Sequence, residues 1–529
     1  MALDSVHPNY ALMKPEWGKA RAVYKGERHV KEQGTEYLPA TKGMYLDGYG
    51  SATVTGKVNI GVEAYNAYRM RAVLPDYMKD AVDVFIGLLH SQDASIELPA
   101  VMEPLRDKIT QHGESMELLL RRINEEQLVA GRLGLLADLP KNPDPANPLP
   151  YIALYITESA TNWDDGQVEE GVANLNLVVL NESGYRRDGF VWDLVTKYRV
   201  LELPPILDTE GNITGYGNYR QGVFENKGAG VPTYVEADLI EPMLRGNKLD
   251  VIPFVFVNTK DIVASPDDPP LLGLINLCLA IYRGEADYRQ SLFMQGQDTL
   301  VVTGELKRAG DPNELAASDD GPLRTGAGTM IHLETGGTAE YIGVSSLGLS
   351  EQRTALENDR ARAESKAGAL SADNSVQNAE SGEALKTRVA ARTASLNQIA
   401  KTGAAALEWV LRQIATWMGA DPKAVKVTPN LEFADFQMTG QNLAQLMAGK
   451  IAGAPLSKES IHALMVEGGL TKMDFKEEKK LLDDEAQEAA ETPPPGTLAG
   501  GNPDDPANPA PTNLPPGNKP PANQPPKKA

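Results

Sequence analysis

The sequence predicts an α+β protein of several domains, and three observations predict it. The chain has 529 residues, more than one hydrophobic core supports, since single cores stop growing near roughly 250 to 300 residues. Helical periodicity dominates the stretches 1–140 and 268–296, whereas 150–257 holds short apolar runs bounded by Gly, Asn, Asp and Pro, as strands are. Beyond Pro493 the chain is too rich in proline to bury apolar surface, and we expect it to be disordered.

Composition excludes several classes of function. The formal charge is −21, so the chain as a whole is not built to bind phosphate backbones without specificity. The single cysteine, Cys278, lies in the apolar run LLGLINLCLA and is interpreted as a buried small hydrophobe; it forms no intramolecular disulfide, which fits a reducing compartment. No secretory h-region and no run of ~18 apolar residues occurs, so we expect a soluble protein made in a cytoplasm.

The elements follow in order from the N-terminus. Residues 63–90 have helical spacing that Pro75 should kink or divide, and a second helix is predicted over 115–130. After the prolines of LPKNPDPANPLP the pattern changes to strands. The predicted strands are YIALYIT, LNLVVLN, FVWDLV, YRVLEL and VIPFVFV.

Long helices dominate the second half. Asp268 is a plausible N-cap with Pro269 at the first helical position, and a helix of about 27 residues follows. Strand-and-turn sequence returns over 298–344. Two helices then flank the polar stretch GALSADNSVQNAE, and the second, with about 36 residues and a length on the order of 54 Å, is longer than an ordinary core helix. A short strand, LEFADF, and three shorter helices over 439–491 complete the order.

The sequence offers little for catalysis. It contains no G-x-x-x-x-G-K-[ST] phosphate loop, and its histidines are scattered without metal-ligand spacing, so we predict no cofactor and no metal. The pairs Asp164/Asp165 and Asp483/Asp484 could do acid–base work, but a solvated turn and an exposed helix face explain them better in so acidic a chain. The histidines are His7, His29, His90, His112, His332 and His462.

Basic residues gather on the second long helix, where Glu383 and Glu408 are the only opposing charges. Two interpretations stay open for this excess: it could meet phosphates, or it could meet carboxylates of a partner subunit, which we favour. The basic residues are Lys386, Arg388, Arg392, Lys401 and Arg412.

The order of elements is similar to that of the portal proteins of tailed bacteriophages, which are ring-forming subunits with wing, stem, clip and crown regions. Stretches such as YNAYRMRAVLPDYMKDAVDVFIGLL, PYIALYITESATNW and LAIYRGEADYRQSLFMQGQDTLVVTGE resemble a portal-like phage family, and ESGEALKTR resembles the start of the long wing helix. The resemblance covers roughly residues 5–485. The chain departs from the family pattern because it lacks an obvious long C-terminal helical barrel.

The resemblance implies the following division, with positions in this sequence. A wing covers 1–267, stem helix one 268–297, a clip 298–344, stem helix two 345–367, a tunnel loop 368–379, the long wing helix and following strand 380–438, a short crown 439–492 and the disordered tail 493–529. A loop facing moving DNA should be small and weakly charged, because each lysine would add a phosphate contact. The implied channel residues are Ser371, Ala372, Asp373, Asn374, Ser375, Val376, Gln377 and Asn378.

The implied function is structural and not enzymatic. A homo-oligomeric ring of about twelve subunits would carry double-stranded DNA into and out of a virion, and would bind the terminase large subunit, the major capsid protein and a head–tail adaptor. It would be assembled in the bacterial host cytoplasm. Two rival interpretations are another head-completion or virion ring protein, and a hydrolase with its site in 150–257.

Overall fold

The computed structural model describes residues 2–51, 58–140, 149–166, 175–244, 247–295, 299–303, 306–307, 332–333, 336–342, 347–367, 382–431, 450, 457–467, 471 and 473–491. Helices and antiparallel sheets mix in it, which confirms the predicted α+β class. The α-helices are α1 (Pro8–Lys25), α2 (Glu27–Glu32), α3 (Lys42–Leu46), α4 (Ile60–Arg71), α5 (Tyr77–Leu89), α6 (Met116–Ala130), α7 (Leu272–Gln295), α8 (Leu347–Ala367), α9 (Gly382–Met418), α10 (Lys458–Glu467) and α11 (Phe475–Glu491).

The strands concentrate between α6 and α7. They are β1 (Ser95–Glu97), β2 (Arg132–Asp138), β3 (Tyr151–Ile156), β4 (Ala160–Asp164), β5 (Leu177–Asn181), β6 (Gly184–Asp188), β7 (Val191–Glu202), β8 (Pro205–Leu207), β9 (Ile213–Tyr216), β10 (Arg220–Lys227), β11 (Met243–Leu244), β12 (Asn247–Lys248), β13 (Phe254–Asn258), β14 (Thr299–Thr303), β15 (Leu306–Lys307), β16 (His332–Leu333), β17 (Thr338–Ile342) and β18 (Lys426–Thr428).

The helices of the N-terminal block begin and end where local chemistry requires. The predicted helix over 63–90 is two helices, α4 and α5, separated around Pro75 as expected. Asn59 caps α4 by accepting from the amide of Val62, and Ser115 caps α6 by accepting from the amide of Leu118. Helix α6 ends at Gly131, whose φ of 78° is left-handed, a conformation that favours glycine.

A central sheet follows α6 directly. The run RLGLLAD, which the sequence left without an assignment beside α6, forms β2 in a three-stranded antiparallel sheet of order β13-β2-β3. All of β2 except Asp138 is buried. Gly134 lets the neighbouring strand approach closely, because a Cβ there would lie 2.2 Å from the ring of Phe254. The sheet is therefore a buried layer between helices and the second sheet.

The second sheet has the order β10-β7-β5-β4, and β6 pairs with the first half of β7. The predicted strands FVWDLV and YRVLEL are one continuous strand of 12 residues, β7. The prediction of two strands was wrong because nothing between them turns the chain: Val195 to Lys197 pair with β10 without a break.

Helix α7 begins later than the sequence predicted. Asp268 and Pro269 lie in a turn before the helix, and the amide of Leu272 donates to the carbonyl of Pro269. The backbone at 268–269 lies against Gly131, where a Cβ would be 3.0 Å from the carbonyl oxygen of Asp268. This contact and the prolines at 269 and 270 keep the segment out of α-helical geometry.

The long helix α9 has 37 residues, close to the predicted length. Its length exceeds that of an ordinary core helix, as predicted. Its inward-facing side chains from Leu396 to Ala415 are nevertheless buried, as in a core helix. Those from Ala404 to Ala415 pack with α6, β2 and β13 in one hydrophobic cluster, whereas Leu396, Ile399 and Ala400 pack in the cluster of the N-terminal helices and α7. Helix α9 is therefore the central helix of this core.

The chain divides into two compact units, 1–433 and 434–529. In the second unit α10 and α11 are in contact, and the rings of His462 and Phe475 meet edge to face at 5.4 Å. Of the predicted strand LEFADF, only Leu431 lies within the described residues, and so do parts of two of the three predicted C-terminal helices. None of the helices that the structure describes has the length and apolar character needed to cross a membrane.

Candidate functional site

The α7–α8 pair is the part of the structure that corresponds to the two predicted stem helices. Helix α7 is buried along most of its length, whereas in the described part of α8 only Leu356 and Ala363 are buried. These two residues are seven positions apart and form a narrow stripe facing α7, where Leu356 lies over Gly284. Most of the other described residues of α8 are exposed in a single copy of the chain.

A buried carboxylate fastens α8 to α7. Glu285 of α7 has a side chain that is 5% exposed, and it accepts from Arg289 of the same helix at 2.6 Å. Arg360 of α8 is the second partner of this carboxylate. Since a buried charge is costly without partners, both guanidinium groups are needed to hold it.

Side chains of α4 hold α7, and Tyr77 of α5 donates to Glu364 of α8 at 3.0 Å. The hydroxyl of Tyr68 donates to Asp287 at 2.5 Å, and burial together with this bond raises the pKa of Tyr68 above its ordinary value. Arg71 donates to Gln290 and stacks over the ring of Phe293 at 3.7 Å. The helix pair is therefore anchored on the N-terminal block near the C-terminal end of α7.

The connector 258–268 joins β13 to the start of α7, and four side chains from three elements bind its backbone carbonyls. Gln127 of α6 donates to the carbonyl of Asn258 at 2.7 Å, and Gln398 of α9 donates to that of Lys260 at 2.7 Å. The hydroxyl of Thr402 of α9 is shared between the carbonyl of Gln398 in its own helix, at 2.7 Å, and that of Thr259, at 3.4 Å, and Arg132 at the start of β2 donates to the carbonyl of Ala264. The connector therefore fixes α7 relative to α9.

Arg132 is an unusual member of this set. Its guanidinium lies between the rings of Trp163, at 4.3 Å, and Phe256, at 3.7 Å. Burial lowers its pKa to about 9, with Asp165 acting weakly in the opposite direction. The ring of His7 stacks on the same indole at 4.1 Å. The cation is thus held by two aromatic faces and a backbone carbonyl.

The predicted channel residues Ser371 to Asn378 lie outside the described residues. Lys386, Arg388 and Arg392 lie on the first three turns of α9, and the structure describes their backbone but not their side chains. Positions 388 and 392 are four apart and share one side of the helix, whereas 386 does not. The two interpretations of this basic set, phosphate contact and subunit contact, stay predictions.

The last basic residue of the predicted set has a partner within the chain. Arg412 and Glu408 are one turn apart on α9 and form an ion pair at 2.5 Å, and Glu408 also accepts from the amide of Val427. Arg412 is therefore part of the contact between α9 and β18.

A cavity of about 960 Å³ opens in the β-rich block, where a hydrolase site would lie. Arg199 is its central charge: it contacts Asp138 and Glu182, each at 2.7 Å, and Lys197 also pairs with Glu182 at 2.5 Å. Among the described residues of its lining there is neither a serine nor a cysteine.

Two titratable groups of this cavity, Glu182 and Tyr151, have shifted pKa values. Burial alone would raise the pKa of Glu182, but Arg199 and Lys197 outweigh it and hold that pKa below its ordinary value. Burial and a bond to Asp138 raise the pKa of Tyr151 to about 12. Neither group titrates near neutral pH, so neither is suited to proton transfer there.

The other candidate acid–base carboxylates lie in a turn and on an exposed helix face. Asp164 accepts from the amide of Gly166 and the side chain of Asn176, and therefore closes a turn. Asp483 and Asp484 lie on an exposed stretch of α11. Across the described ranges no three His, Cys, Asp or Glu side chains come together as metal ligands would.

Sequence reasoning missed Glu285 and the tip of the β6–β7 hairpin. The helical period of LAIYRGEADYR places Glu285 on the apolar stripe of α7, which is a signal for a buried and therefore paired carboxylate. At the hairpin tip Phe190 is 97% exposed, Tyr185 71% and Trp192 62%. The alternation in GYRRDGFVW fits a strand equally well with its aromatic face buried or exposed, so the sequence carries no signal for their exposure.

Comparison with known proteins gives one family match and several similar structures. Residues 270–418, which run from α7 to the end of α9, match the family described as a domain of unknown function, DUF4055. No curated protein matches the sequence. A chain in the virion of a native gene transfer agent particle aligns at 14% identity and a TM-score of 0.35, covering 80% of this chain and 98% of that one. Chains in the neck of the native particle, computed with C12 symmetry, and of the empty particle, computed with C6 symmetry, each align at 14% identity and 0.33, covering 76% of this chain and 90% of theirs.

Proposed function

We propose that this chain is a structural, non-enzymatic ring subunit of a phage-type particle, of the portal kind, and that the ring surrounds a channel for double-stranded DNA. The observation that carries the proposal is α8. A helix with two buried residues among the 20 whose burial is described gains little apolar packing from its own chain, since most helix stability in proteins comes from packing of an apolar face. Neighbouring copies arranged around an axis would supply the missing contacts.

The strands that lie between α7 and α8 in the sequence fit the same arrangement. Strands β14 and β17 pair over five residues, and β15 pairs with β16 over two. The strands of 298–344 that the structure describes make no stable sheet alone, and in the ring we expect strands of neighbouring copies to complete them. In this proposal 298–344 is the clip that binds the terminase, and 368–379 is the loop that faces DNA.

The remaining regions take the roles that the resemblance implies. Residues 1–267 and 380–438 form the wing, 439–492 the crown and 493–529 a tail outside the ring. About twelve copies would assemble in the host cytoplasm and enter the virion, with contacts to the major capsid protein and a head–tail adaptor. The cavity around Arg199 takes no part, because its charges neutralise one another.

The first experiment measures the mass of the purified full chain by light scattering and images it in negative stain. We expect closed rings near twelve copies, with a central hole wide enough for a DNA duplex. A monomer or a small open oligomer at micromolar concentration contradicts the proposal.

A second experiment addresses DNA. Ser371→Lys with Asn374→Lys would add about two dozen positive charges to a ring of twelve, and each phosphate contact contributes roughly 0.9 to the slope of log affinity against log salt. Assembled rings of this variant should package or release DNA poorly at low salt and recover partly at higher salt. Packaging equal to the parent at every salt concentration would show that 368–379 does not face DNA.

A further inference from the structure

The long strand β7 carries two exposed apolar surfaces, one at each end. The aromatic tip consists of Tyr185, Phe190 and Trp192 at the turn between β6 and β7. The aliphatic hairpin is the β8–β9 pair, and two residues, 203 and 204, separate it from the end of β7. With 12 residues, β7 holds the two surfaces about 36 Å apart.

The aromatic tip is larger than a chance exposure. In the ladder, Tyr185 pairs with Leu194 and Arg187 pairs with Trp192, so these four side chains share one face. Aromatic side chains bury about 150–250 Å² each, so the tip offers on the order of 400 Å² of apolar surface. That is comparable to the largest patch on a typical monomer and supplies about half of one side of a standard interface.

The aliphatic hairpin also exposes apolar side chains, at the other end of β7. Ile206, Leu207 and Ile213 are 51%, 56% and 56% exposed. Leu207 and Ile213 are partners in the ladder and share a face. The hairpin is held together by its own turn, in which Asp208 accepts from the amides of Glu210 and Asn212, so its apolar side chains are not needed to fold it.

Charge distinguishes the two surfaces. Arg187 of the tip donates to the carbonyl of Gly189 and has no carboxylate partner among the described residues. The stretch 203–218 contains Asp208 and Glu210 and no basic residue, and Glu210 is exposed without an ion pair in the described part of the chain. Arg187 of the tip and Glu210 of the hairpin are therefore opposite charges, each beside exposed apolar side chains and each without an ion pair in the described part of the chain.

We propose that the aromatic tip of one copy of this chain docks on the aliphatic hairpin of the next copy. Such a head-to-tail contact uses two different surfaces per chain and closes into a ring if the rotation allows it. Contact of tip with tip is disfavoured, because it would bring together the Arg187 side chains of two copies, neither of which has a carboxylate partner in the described part of its own chain. The inference rests on the proposed ring and names the surfaces that close it.

The test uses two variants that each lose one surface. The tip variant carries Phe190→Asn and Trp192→Thr, and the hairpin variant carries Leu207→Thr and Ile213→Thr. Leu12→Gln, at a leucine of α1 that is 73% exposed, controls for the loss of an exposed apolar side chain. Circular dichroism and thermal melting establish that all three fold as the parent does.

Native mass spectrometry then gives the assembly state. We expect each variant alone to lose rings, with at least a tenfold weaker association, as truncated aromatic hot spots typically cost, while Leu12→Gln assembles normally. An equimolar mixture of the tip and hairpin variants should give more one-to-one dimer than either variant alone, since one intact tip then meets one intact hairpin.

Each other outcome overturns the inference. Rings from the tip or the hairpin variant, or a mixture without the dimer, would show that these surfaces do not pair, and would leave the proposed ring intact. A parent chain that does not self-associate would overturn the ring and this contact together.

A charge exchange gives an independent measurement. Arg187→Glu alone and Glu210→Arg alone should each weaken assembly, and the double variant should recover it. Additive losses in the double variant would mean that the two residues do not meet.

Discussion

At the scale of single residues, Gly403 shows how closely α9 approaches α6. A Cβ at this position would lie 2.6 Å from the amide oxygen of Asn124 and 2.9 Å from that of Gln127. Both amides are buried and form bonds elsewhere, Asn124 with His90 and Gln127 with the connector. A methyl group would therefore displace two anchored side chains.

We expect Gly403→Ala to lower the free energy of unfolding by about 1–3 kcal/mol, as overpacking does. The matched control is Gly87→Ala in α5, where a Cβ would meet nothing within 4 Å. That substitution should stabilise the chain by about 0.5–1 kcal/mol, because alanine favours a helix over glycine. Chemical denaturation of both variants measures whether the free energy of unfolding falls or rises. A Gly403→Ala variant as stable as the parent would contradict the close approach of α9 to α6.

His90 predicts a pH dependence. Burial lowers its pKa below the ordinary value, Arg121 lowers it further, and Asp93 acts in the opposite direction. The unfolded chain therefore takes up a proton at higher pH than the folded chain, and stability is lost as pH falls below about 6.5. In denaturation at pH 7 and pH 5.5, His90→Gln should lose less stability on acidification than the parent. An equal loss in both would contradict this role.

At the scale of elements, much of the order could be predicted from the sequence. Helices α7 and α9 follow from apolar periodicity and α8 from its density of helix formers, and the absence of proline between 322 and 422 permits α8 and α9. Strand β2 could not be assigned, because RLGLLAD is apolar without alternation, and a short apolar run fits a buried strand and a buried helix equally. Its partners, β3 and β13, are distant in sequence, so only the fold decides.

The link between α7 and α8 provides an element-scale prediction. Glu285→Gln removes the charge that Arg289 and Arg360 share, and we expect a loss of about 1–3 kcal/mol, since the two arginines can be partly hydrated. Glu357→Gln is the control, because its pair with Arg353 is exposed and should contribute less than about 0.5 kcal/mol. Thermal unfolding compares the two; equal effects would contradict the buried link.

At the scale of the whole molecule, the sequence predicts some of the candidate functional residues and carries no signal for others. The polar composition of 368–379 and the basic set at Lys386, Arg388 and Arg392 are readable from sequence, and their roles stay predictions. The aromatic tip was not predicted, because whether Phe190 faces a core or solvent depends on where β6 lies relative to the rest of its sheet. Exposure is a property of the assembled fold.

The tail provides the whole-molecule prediction. Thirteen prolines occur among the last 37 residues, and because proline has no backbone N–H to donate, we predict that this segment takes no part in the ring. A chain ending before Pro493 should form rings of the same number of copies as the full chain, and limited proteolysis should remove the tail without changing the oligomer. A change in ring size or loss of assembly on truncation would contradict this.

The connector 258–268 has a consequence for how the sequence can drift. Its position depends on carbonyl oxygens, and every amino acid supplies one, so many substitutions within the connector would leave these four bonds in place. The donors are different: Gln127, Arg132, Gln398 and Thr402 each act through a side chain. Among distant relatives we therefore expect the amino-acid sequence of the connector to vary while these donors are kept. The position of α7 relative to α9 would then depend on side chains that lie outside the connector.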